Sequence, residues 1–284
     1  MQQSLTGKQK LTVLIPCKNE RKNIRPCVES AKLVADEILV ADSGSTDGTL
    51  DIVRQIGGCR IIEREYINSG NFKNWSIPQA THEWVLIVDS DERVTPKLAK
   101  EINRLLAGEP SRDGYHIYRA NYFLGHHIRH AGWGADKVLR LFRRDMGRYV
   151  GESDHAEVTV SSGRVGRLKG RLEHYTYWSY DQYFQKLHRY TVQGAKNKHA
   201  AGRRASFAHM LFAPPLRFFH CYVFRLGFLD GLAGLQISAL TGMSSFVKQL
   251  RLWELDHALE QPDPEAEFAV RNVAEQNPSR RDAA

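Results

Sequence analysis

Residues 83–93 read Glu83-Trp84-Val85-Leu86-Ile87-Val88-Asp89-Ser90-Asp91-Glu92-Arg93, a short, almost wholly apolar run that ends abruptly in two carboxylates one residue apart. A buried parallel strand is bounded in this way, and ligands of open α/β sheets bind just outside strand C-termini. Two carboxylates there suit a hard divalent cation bridging to phosphate oxygens, because Mg²⁺ is usually held by one or two acidic side chains plus phosphates. Taken alone, an Asp-x-Asp is as readily an acidic loop after a strand, so the surrounding sequence has to decide.

The upstream stretches repeat the pattern. Leu11-Thr12-Val13-Leu14-Ile15-Pro16 is a β-branched, apolar run stopped by Pro16 and reads as the first strand. The polar turn Cys17-Lys18-Asn19-Glu20 leads to a helix expected to be capped near Asn23, with Ile24, Cys27, Ala31 and Val34 at helical spacing. Glu37-Ile38-Leu39-Val40-Ala41-Asp42 is a second buried strand ending in an acid, and Ser43-Gly44-Ser45-Thr46 opens a helix from Asp47 to Ile56, closed by Gly57-Gly58. Arg60 to Glu63 reads as a third short strand, residues 68–74 as a polar loop and 75–80 as a helix. Strands alternating with helices imply a parallel sheet with right-handed crossovers. Three strand ends then deliver Asn19 and Glu20, Asp42, and Asp89 with Asp91 to one sheet edge, a convergence harder to dismiss than any single acid. No Gly-x-Gly-x-x-Gly follows the first strand and no Gly-x-x-x-x-Gly-Lys-Ser/Thr occurs, which argues against a dinucleotide Rossmann fold and against a P-loop.

With 284 residues and 42% hydrophobic content, the chain has material for one large domain, or one domain with an appendage. Its cysteines, Cys17, Cys27, Cys59 and Cys221, show no Cys-x-x-Cys pairing, so neither a zinc site nor a disulfide framework is indicated, and a reduced, cytoplasmic setting is expected. The polar residues 1–10 contain no apolar h-region, so no secretory signal is expected. A formal charge of +8 and a pI near 9.3 predict an acidic partner: nucleic acid, a nucleotide, or the anionic face of a membrane. No RNP-like motif or basic helix supports nucleic acid, and none is expected.

Leu14-Ile15-Pro16-Cys17-Lys18-Asn19-Glu20, Val40-Ala41-Asp42-Ser43-Gly44-Ser45-Thr46-Asp47-Gly48-Thr49 and Val88-Asp89-Ser90-Asp91-Glu92 together resemble the three motifs of the family 2 glycosyltransferases, over roughly residues 10–175. Within that family the chain resembles the lipopolysaccharide core biosynthesis glucosyltransferase type, through Lys73-Asn74, the stretch Lys137-Val138-Leu139-Arg140-Leu141-Phe142-Arg143, and His174-Tyr175. The resemblance implies an α/β GT-A fold with a mostly parallel central sheet and an inverting, metal-dependent transferase that uses a nucleotide-diphosphate sugar. It also implies roles: Pro16, Asn19 and Glu20 against the base and ribose, Asp42 accepting a hydrogen bond from the base, and Asp91 as the Mg²⁺ or Mn²⁺ ligand with Asp89 on ribose or metal. Asp42 is alternatively a turn or helix-capping acid, and Lys73 either reaches a phosphate or is a solvated surface lysine. Arg140 and Arg143 are candidates for a diphosphate or an anionic acceptor.

An inverting transfer also needs a general base for the acceptor hydroxyl. Where related sequences carry a His-Glu pair this chain reads His155-Ala156-Glu157, and counting back from Val165-Gly166-Arg167-Leu168 puts Glu157 at the family's acid, with Asp154 the second candidate and His155 an orienting neighbour. The same His-x-Glu lacks the Pro-Cys-x-x-Cys that a zinc deaminase needs downstream. Tyr115-His116-Ile117-Tyr118-Arg119 and Leu139-Arg140-Leu141-Phe142 alternate and read as strands; Trp133 either stacks on a sugar or is core; and His174 to Trp178 is expected to close the site after product binding.

Residues 1–178 are therefore expected to form the catalytic domain, 179–260 a helical C-terminal region and 261–284 a mobile tail. A helix is expected at 179–200, and Pro214-Pro215 are expected to break the apolar, aromatic segment from Phe207 to Val247. Asp230 and Gln236 inside that segment argue against a bilayer-crossing helix, whereas its flanking Arg203, Arg204, Arg217, Arg225, Lys248 and Arg251 suit a helix lying in an anionic membrane interface, or else a helical subdomain packed on the core. The expected partners are a nucleotide sugar, a glycolipid or saccharide acceptor, and the inner face of the cell membrane. The rivals are a non-catalytic basic nucleotide- or membrane-binding module on the same fold, which failure of every nucleotide-diphosphate sugar plus metal to protect against thermal unfolding would favour, and a sugar nucleotidyltransferase, whose glycine-rich phosphate loop is missing after the first strand.

Overall fold

The computed structural model describes residues 8–151 and 157–257. Strand β1 (Leu11–Cys17) lies between β2 (Glu37–Asp42) and β4 (Trp84–Ile87), with β3 (Cys59–Glu63) outside β2, and all of these pairings are parallel. Helices α1 (Ile24–Ala31), α2 (Thr49–Ile56) and α3 (Ser69–Ser76) make the crossovers. The continuous apolar runs reflect burial on both faces. Val13, Ile15 and Leu86 pack with Cys27 and Val28 of α1, whereas Leu14, Leu39 and Ile87 pack with Phe72 of α3.

Beyond β4 the sheet becomes mixed. β8 (Lys137–Arg143) is antiparallel to β4, β6 (Gly114–Phe123) antiparallel to β8, β11 (Val165–Tyr177) parallel to β6, and β5 (Glu92–Val94) antiparallel to β11 at the edge. β7 (His126–Ile128) adds a hairpin to β6, while β9 (Gly147–Val150) and β10 (Glu157–Val160) form a separate antiparallel pair. Helix α4 (Pro96–Ala107) contributes Leu98 and Ile102 to the core beside Leu168 and Leu172 of β11.

The order β3-β2-β1-β4-β8-β6-β11-β5 has a geometric consequence. Only Val88–Asp91 separates β4 from β5, yet three strands stand between them in the sheet. Four interstrand spacings span about 19 Å in a flat sheet, more than that short link can cover once it turns. It does turn, since the Glu92 amide donates to the Asp89 carbonyl at 2.8 Å. The sheet must curl, and its β5 edge returns to the C-terminal end of β4.

Three local expectations need correction. Residues 68–74, read as a loop, are mostly helix, because the Asn68 side chain caps α3 by accepting from the Asn71 amide at 2.8 Å and Phe72 is buried. Asn23 stands at the N-cap of α1 but makes no capping bond with its side chain, which instead donates to Glu20 Oε2 at 2.8 Å and accepts from Trp178 Nε1 at 3.0 Å. Pro214 and Pro215 lie inside a helix rather than ending it: α6 runs Phe207–Phe219 with no buried residue, so water can satisfy the carbonyls the prolines release.

The other C-terminal helices are α5 (Tyr180–Ala200) and α7 (Gly231–Asp256). The chain divides into two compact units, one comprising the residues up to Tyr183 with His220–Ser238, the other Phe184–Phe219 with the residues from Ala239 on. Among the described residues no single helix is long and apolar enough to cross a membrane. The tail read at residues 261–284 lies outside the described residues.

Glu37 ties the start of β2 to its neighbours, accepting from Thr12 Oγ1 at 2.6 Å, the Thr81 amide at 2.8 Å and Arg60 Nε at 2.8 Å. Burial alone would raise its pKa, but these donors hold the carboxyl down at about 2. Its contribution to stability is present above the ordinary carboxylate range and is lost as pH falls toward 2. Glu37→Gln is expected to cost on the order of 2–3 kcal/mol at neutral pH, with the difference vanishing in acid, as urea unfolding across pH will read.

Candidate active site

The strand ends of β1 and β2 form one interlocked turn. Asp42 is fully buried, and its carboxylate accepts from the Gly44 amide at 2.8 Å, the Ser45 amide at 2.7 Å and the Cys17 thiol at 3.4 Å. Asn19, at φ +54°, donates its amide to Ser45 Oγ at 2.8 Å and accepts the Thr46 amide on Oδ1 at 2.8 Å. The Glu20 amide donates to Thr49 Oγ1 at 2.8 Å. Pro16 is half-buried just before this turn. Asp42 thus acts here as the turn acid, and a hydrogen bond to a base would come at the expense of one of its present donors.

At the end of β4, Asp89 lies between two cations. Lys73 Nζ on α3 reaches Oδ1 at 2.9 Å, and Arg140 on β8 reaches Oδ2. Burial would raise the Asp89 carboxyl, but Arg140 and Lys73 outweigh it and hold it far below the usual range. Burial likewise opposes the charges on Arg140 and Lys73; Asp89, with Glu92 and Tyr149 at Arg140 and Tyr149 at Lys73, outweighs it, so all three stay ionised. Arg140 reaches the site through a β-bulge. Tyr115 pairs with Leu141 and His116 with Leu139, which leaves Arg140 as the extra residue and turns its side chain inward.

Glu92 has a fully buried side chain, takes Arg140 Nη2 at 3.2 Å and Arg119 Nη1 at 3.4 Å on one oxygen, and takes the Asp89 amide at 3.0 Å on the other. Tyr149 completes the group, accepting Arg140 Nη1 on its hydroxyl at 3.1 Å while its ring lies 5.2 Å from Lys73 Nζ. The Asn74 side chain pairs with both backbone groups of Tyr149, at 2.8 and 2.9 Å, so the Lys73-Asn74 dipeptide places the lysine and the tyrosine together.

Asp91 faces β11. Its Oδ2 lies 3.6 Å from His174 Nε2, and its carbonyl accepts the Tyr175 amide at 2.9 Å. Behind His174, Asn121 Oδ1 meets Nδ1 at 2.6 Å, and Asn121 in turn donates to Asp136, which Arg119 holds by two bonds at 2.8 and 3.0 Å. Asp89 and Asp91 therefore belong to different partners. Among the described residues no group of three or more His, Cys, Asp or Glu side chains is arranged to hold a metal.

The remaining candidates are placed as follows. Asp154 and His155 lie outside the described residues, and Glu157 is exposed on β10, paired in register with Val150. Arg143 is tied to Asp113 at 3.2 Å and to Glu83, and covers the Trp84 ring, so it does not join Arg140. Trp133 packs edge-on against Phe123, with centroids 6.2 Å apart, in an aromatic cluster. In the segment expected to close the site, His174 to Tyr177 belong to β11 and Trp178 stacks on Tyr175 at 5.0 Å. Sequence reading missed Glu92, Arg119, Asn121, Asp136 and Tyr149. Only Glu92, inside the opening stretch, had a local signal.

Residues 12–169 match the family described as Glycosyl transferase family 2. The lipopolysaccharide core biosynthesis glycosyltransferase LpsC of Rhizobium meliloti is 30% identical over 256 residues, covering 88% of this chain and 93% of that protein. An uncharacterized glycosyltransferase of Rickettsia typhi is 24% identical over 258 residues, covering 87% and 88%. Among solved structures, a mannosyltransferase of Pyrobaculum calidifontis in complex with GDP-Man and Mn²⁺ overlaps with a TM-score of 0.46 at 17% identity, covering 95% of this chain and 81% of that one.

Proposed function

The chain belongs to glycosyl transferase family 2, and on that premise we propose that it moves a sugar, with inversion, from a nucleotide-diphosphate sugar to a saccharide or glycolipid acceptor of the lipopolysaccharide-core type. The observation that carries this reading is the division at the end of β4: Lys73 and Arg140 converge on Asp89, while Asp91 turns to His174. A diphosphate leaving group needs cationic side chains on one side and a bridging divalent cation on the other. The buried Arg140 Nε–H has no acceptor among the described residues, which a phosphate oxygen would supply.

The donor set also fits a cation. Asp91 Oδ2 and His174 Nε2 stand 3.6 Å apart, a spacing two ligands of one ion can adopt at bond lengths of about 2.1 Å. Mg²⁺ or Mn²⁺ held there would neutralise charge on the departing diphosphate. Asp89 keeps Lys73 and Arg140 charged and in place beside it. Pro16, Asn19 and Glu20 are assigned to the rim of the nucleotide pocket. Glu157 or Asp154 takes the acceptor proton; Glu157→Gln and Asp154→Asn, compared for turnover and donor binding, will separate them, because loss of the base abolishes transfer and spares the donor. The catalytic domain is assigned to residues 1–178 and the helical region to 179–260.

We assign that helical region to the inner, anionic face of a membrane. Phe207, Phe212 and Leu216 are 80%, 58% and 66% exposed, and Arg203, Arg204 and Arg217 accompany them. The protein is expected to sediment with vesicles containing phosphatidylglycerol and not with phosphatidylcholine alone, and Phe212→Ser with Leu216→Ser is expected to weaken that binding tenfold or more, on the order set by two buried apolar side chains. Binding indifferent to both lipid charge and these substitutions removes the assignment.

The whole reading is tested by incubating the protein with labelled nucleotide sugars, Mn²⁺ and core saccharides, and following the anomeric configuration of the product by NMR. Inverted product is expected. Retained configuration overturns the inverting assignment, and no turnover with no thermal protection by any nucleotide sugar overturns the transferase reading.

A further inference from the structure

His174 has two ring nitrogens, and its neighbours determine which one carries the proton. Asn121, buried on β6, donates its amide hydrogens to two groups that only accept: the Trp133 carbonyl at 3.1 Å and Asp136 Oδ2 at 3.1 Å. The reversed amide would set its oxygen against both, so Oδ1 is the atom that meets His174 Nδ1 at 2.6 Å. Nδ1 must therefore carry a hydrogen. The Thr176 hydroxyl, 3.3 Å from the same nitrogen, then stands as a second acceptor. Asp136 cannot swing away, because Arg119 holds it through Nε at 2.8 Å and Nη2 at 3.0 Å. In the neutral ring Nε2 is left as a lone pair, 3.6 Å from Asp91 Oδ2. Two acceptors face one another at a distance too long for a hydrogen bond.

We propose that Asn121 is a positioning residue: it fixes His174 in the Nδ1–H tautomer, so that Nε2 and Asp91 offer a nitrogen and an oxygen ligand to one divalent cation. The inference rests on the assignment of the cation to Asp91 and His174 made above. Ligating histidines commonly gain their orientation from a partner on the other ring nitrogen. Here that partner is itself locked, by Asp136 and Arg119. Arg119 also shares a Glu92 oxygen with Arg140, at 3.4 and 3.2 Å, so one network orients both the cation-binding and the diphosphate-binding side chains.

The test uses the full chain, labelled with ¹⁵N-histidine and free of metal, at a pH where the ring is neutral, with His174→Gln to assign the resonances. His174 is expected as the Nδ1–H tautomer, in contrast to the Nε2–H form that free histidine favours. An Nε2–H ring in the wild type overturns the proposal, and this measurement does not depend on any Asn121 variant folding. Mn²⁺ titration followed by electron paramagnetic resonance then compares Asn121→Leu with the wild type. The leucine variant is expected to bind Mn²⁺ about 10–100-fold more weakly and to lose the tautomer preference. Unchanged Mn²⁺ affinity in Asn121→Leu overturns the positioning role. If His174→Gln itself leaves Mn²⁺ affinity unchanged, the cation assignment fails while the tautomer result stands on its own.

Discussion

Asp91→Ala is expected to lower turnover by about 10³-fold, the order of effect that follows from losing several kcal/mol of charge neutralisation on a leaving group. Lys73 and Arg140 remain beside Asp89 in that variant, so the cationic contacts proposed for the nucleotide diphosphate are kept. The fall should therefore appear mainly in kcat and only weakly in KM, as for an interaction made chiefly in the transition state. The Asp91 side chain is partly exposed, so the thermal midpoint is expected to move little. Initial rates with the cognate donor and Mn²⁺ measure the effect. Turnover at the wild-type level would falsify the role given to Asp91.

Arg140→Met is expected to damage the fold as well as the reaction. Arg140 is almost wholly buried and serves Asp89, Glu92 and the Tyr149 hydroxyl at once. Its loss leaves Arg119 as the cation paired with the fully buried Glu92 and Lys73 as the cation paired with Asp89. Removing one partner of a buried pair costs about 3–5 kcal/mol, which for a domain of this size lowers the thermal midpoint by on the order of 10 °C. Arg140→Lys should not restore it, because a single ammonium lacks the planar fork that spans several acceptors.

The pH dependence is a second signature of the same pair. Burial pushes the Asp89 carboxyl up, and Arg140 and Lys73 bring it far below the ordinary range. A carboxyl depressed in the folded state contributes stability above its unfolded pKa, near 4, and loses it as pH falls through the folded value. The gap between wild type and Arg140→Met is therefore widest at neutral pH and narrows in acid. A gap that stays constant from pH 7 to strongly acid solution would remove Asp89 from the account.

Much of the parallel half of the sheet was legible residue by residue. Leu11 to Pro16, Glu37 to Asp42 and Trp84 to Val88 are continuous apolar runs because both faces of those strands are covered, and such runs need no knowledge of partners. The family motifs were legible for the same reason: they are local strings at strand ends. Asn68 shows the limit. Its polar neighbourhood reads as a loop, yet its side chain caps a helix whose hydrophobic contact, Phe72, is anchored only in the tertiary core.

The amino-acid sequence by itself determined that acids gather at the ends of successive parallel strands, Asp89 and Asp91 among them, and that the chain belongs to glycosyl transferase family 2. Tertiary structure decided that the two aspartates have different partners. The link from β4 to β5 is too short for a flat sheet, so the sheet curls and brings His174 of β11 to Asp91, while the bulge in β8 turns Arg140 onto Asp89. Neither contact has a local signature. Arg140 lies 51 residues from Asp89 in the chain, and only the register of neighbouring strands brings such side chains to one place.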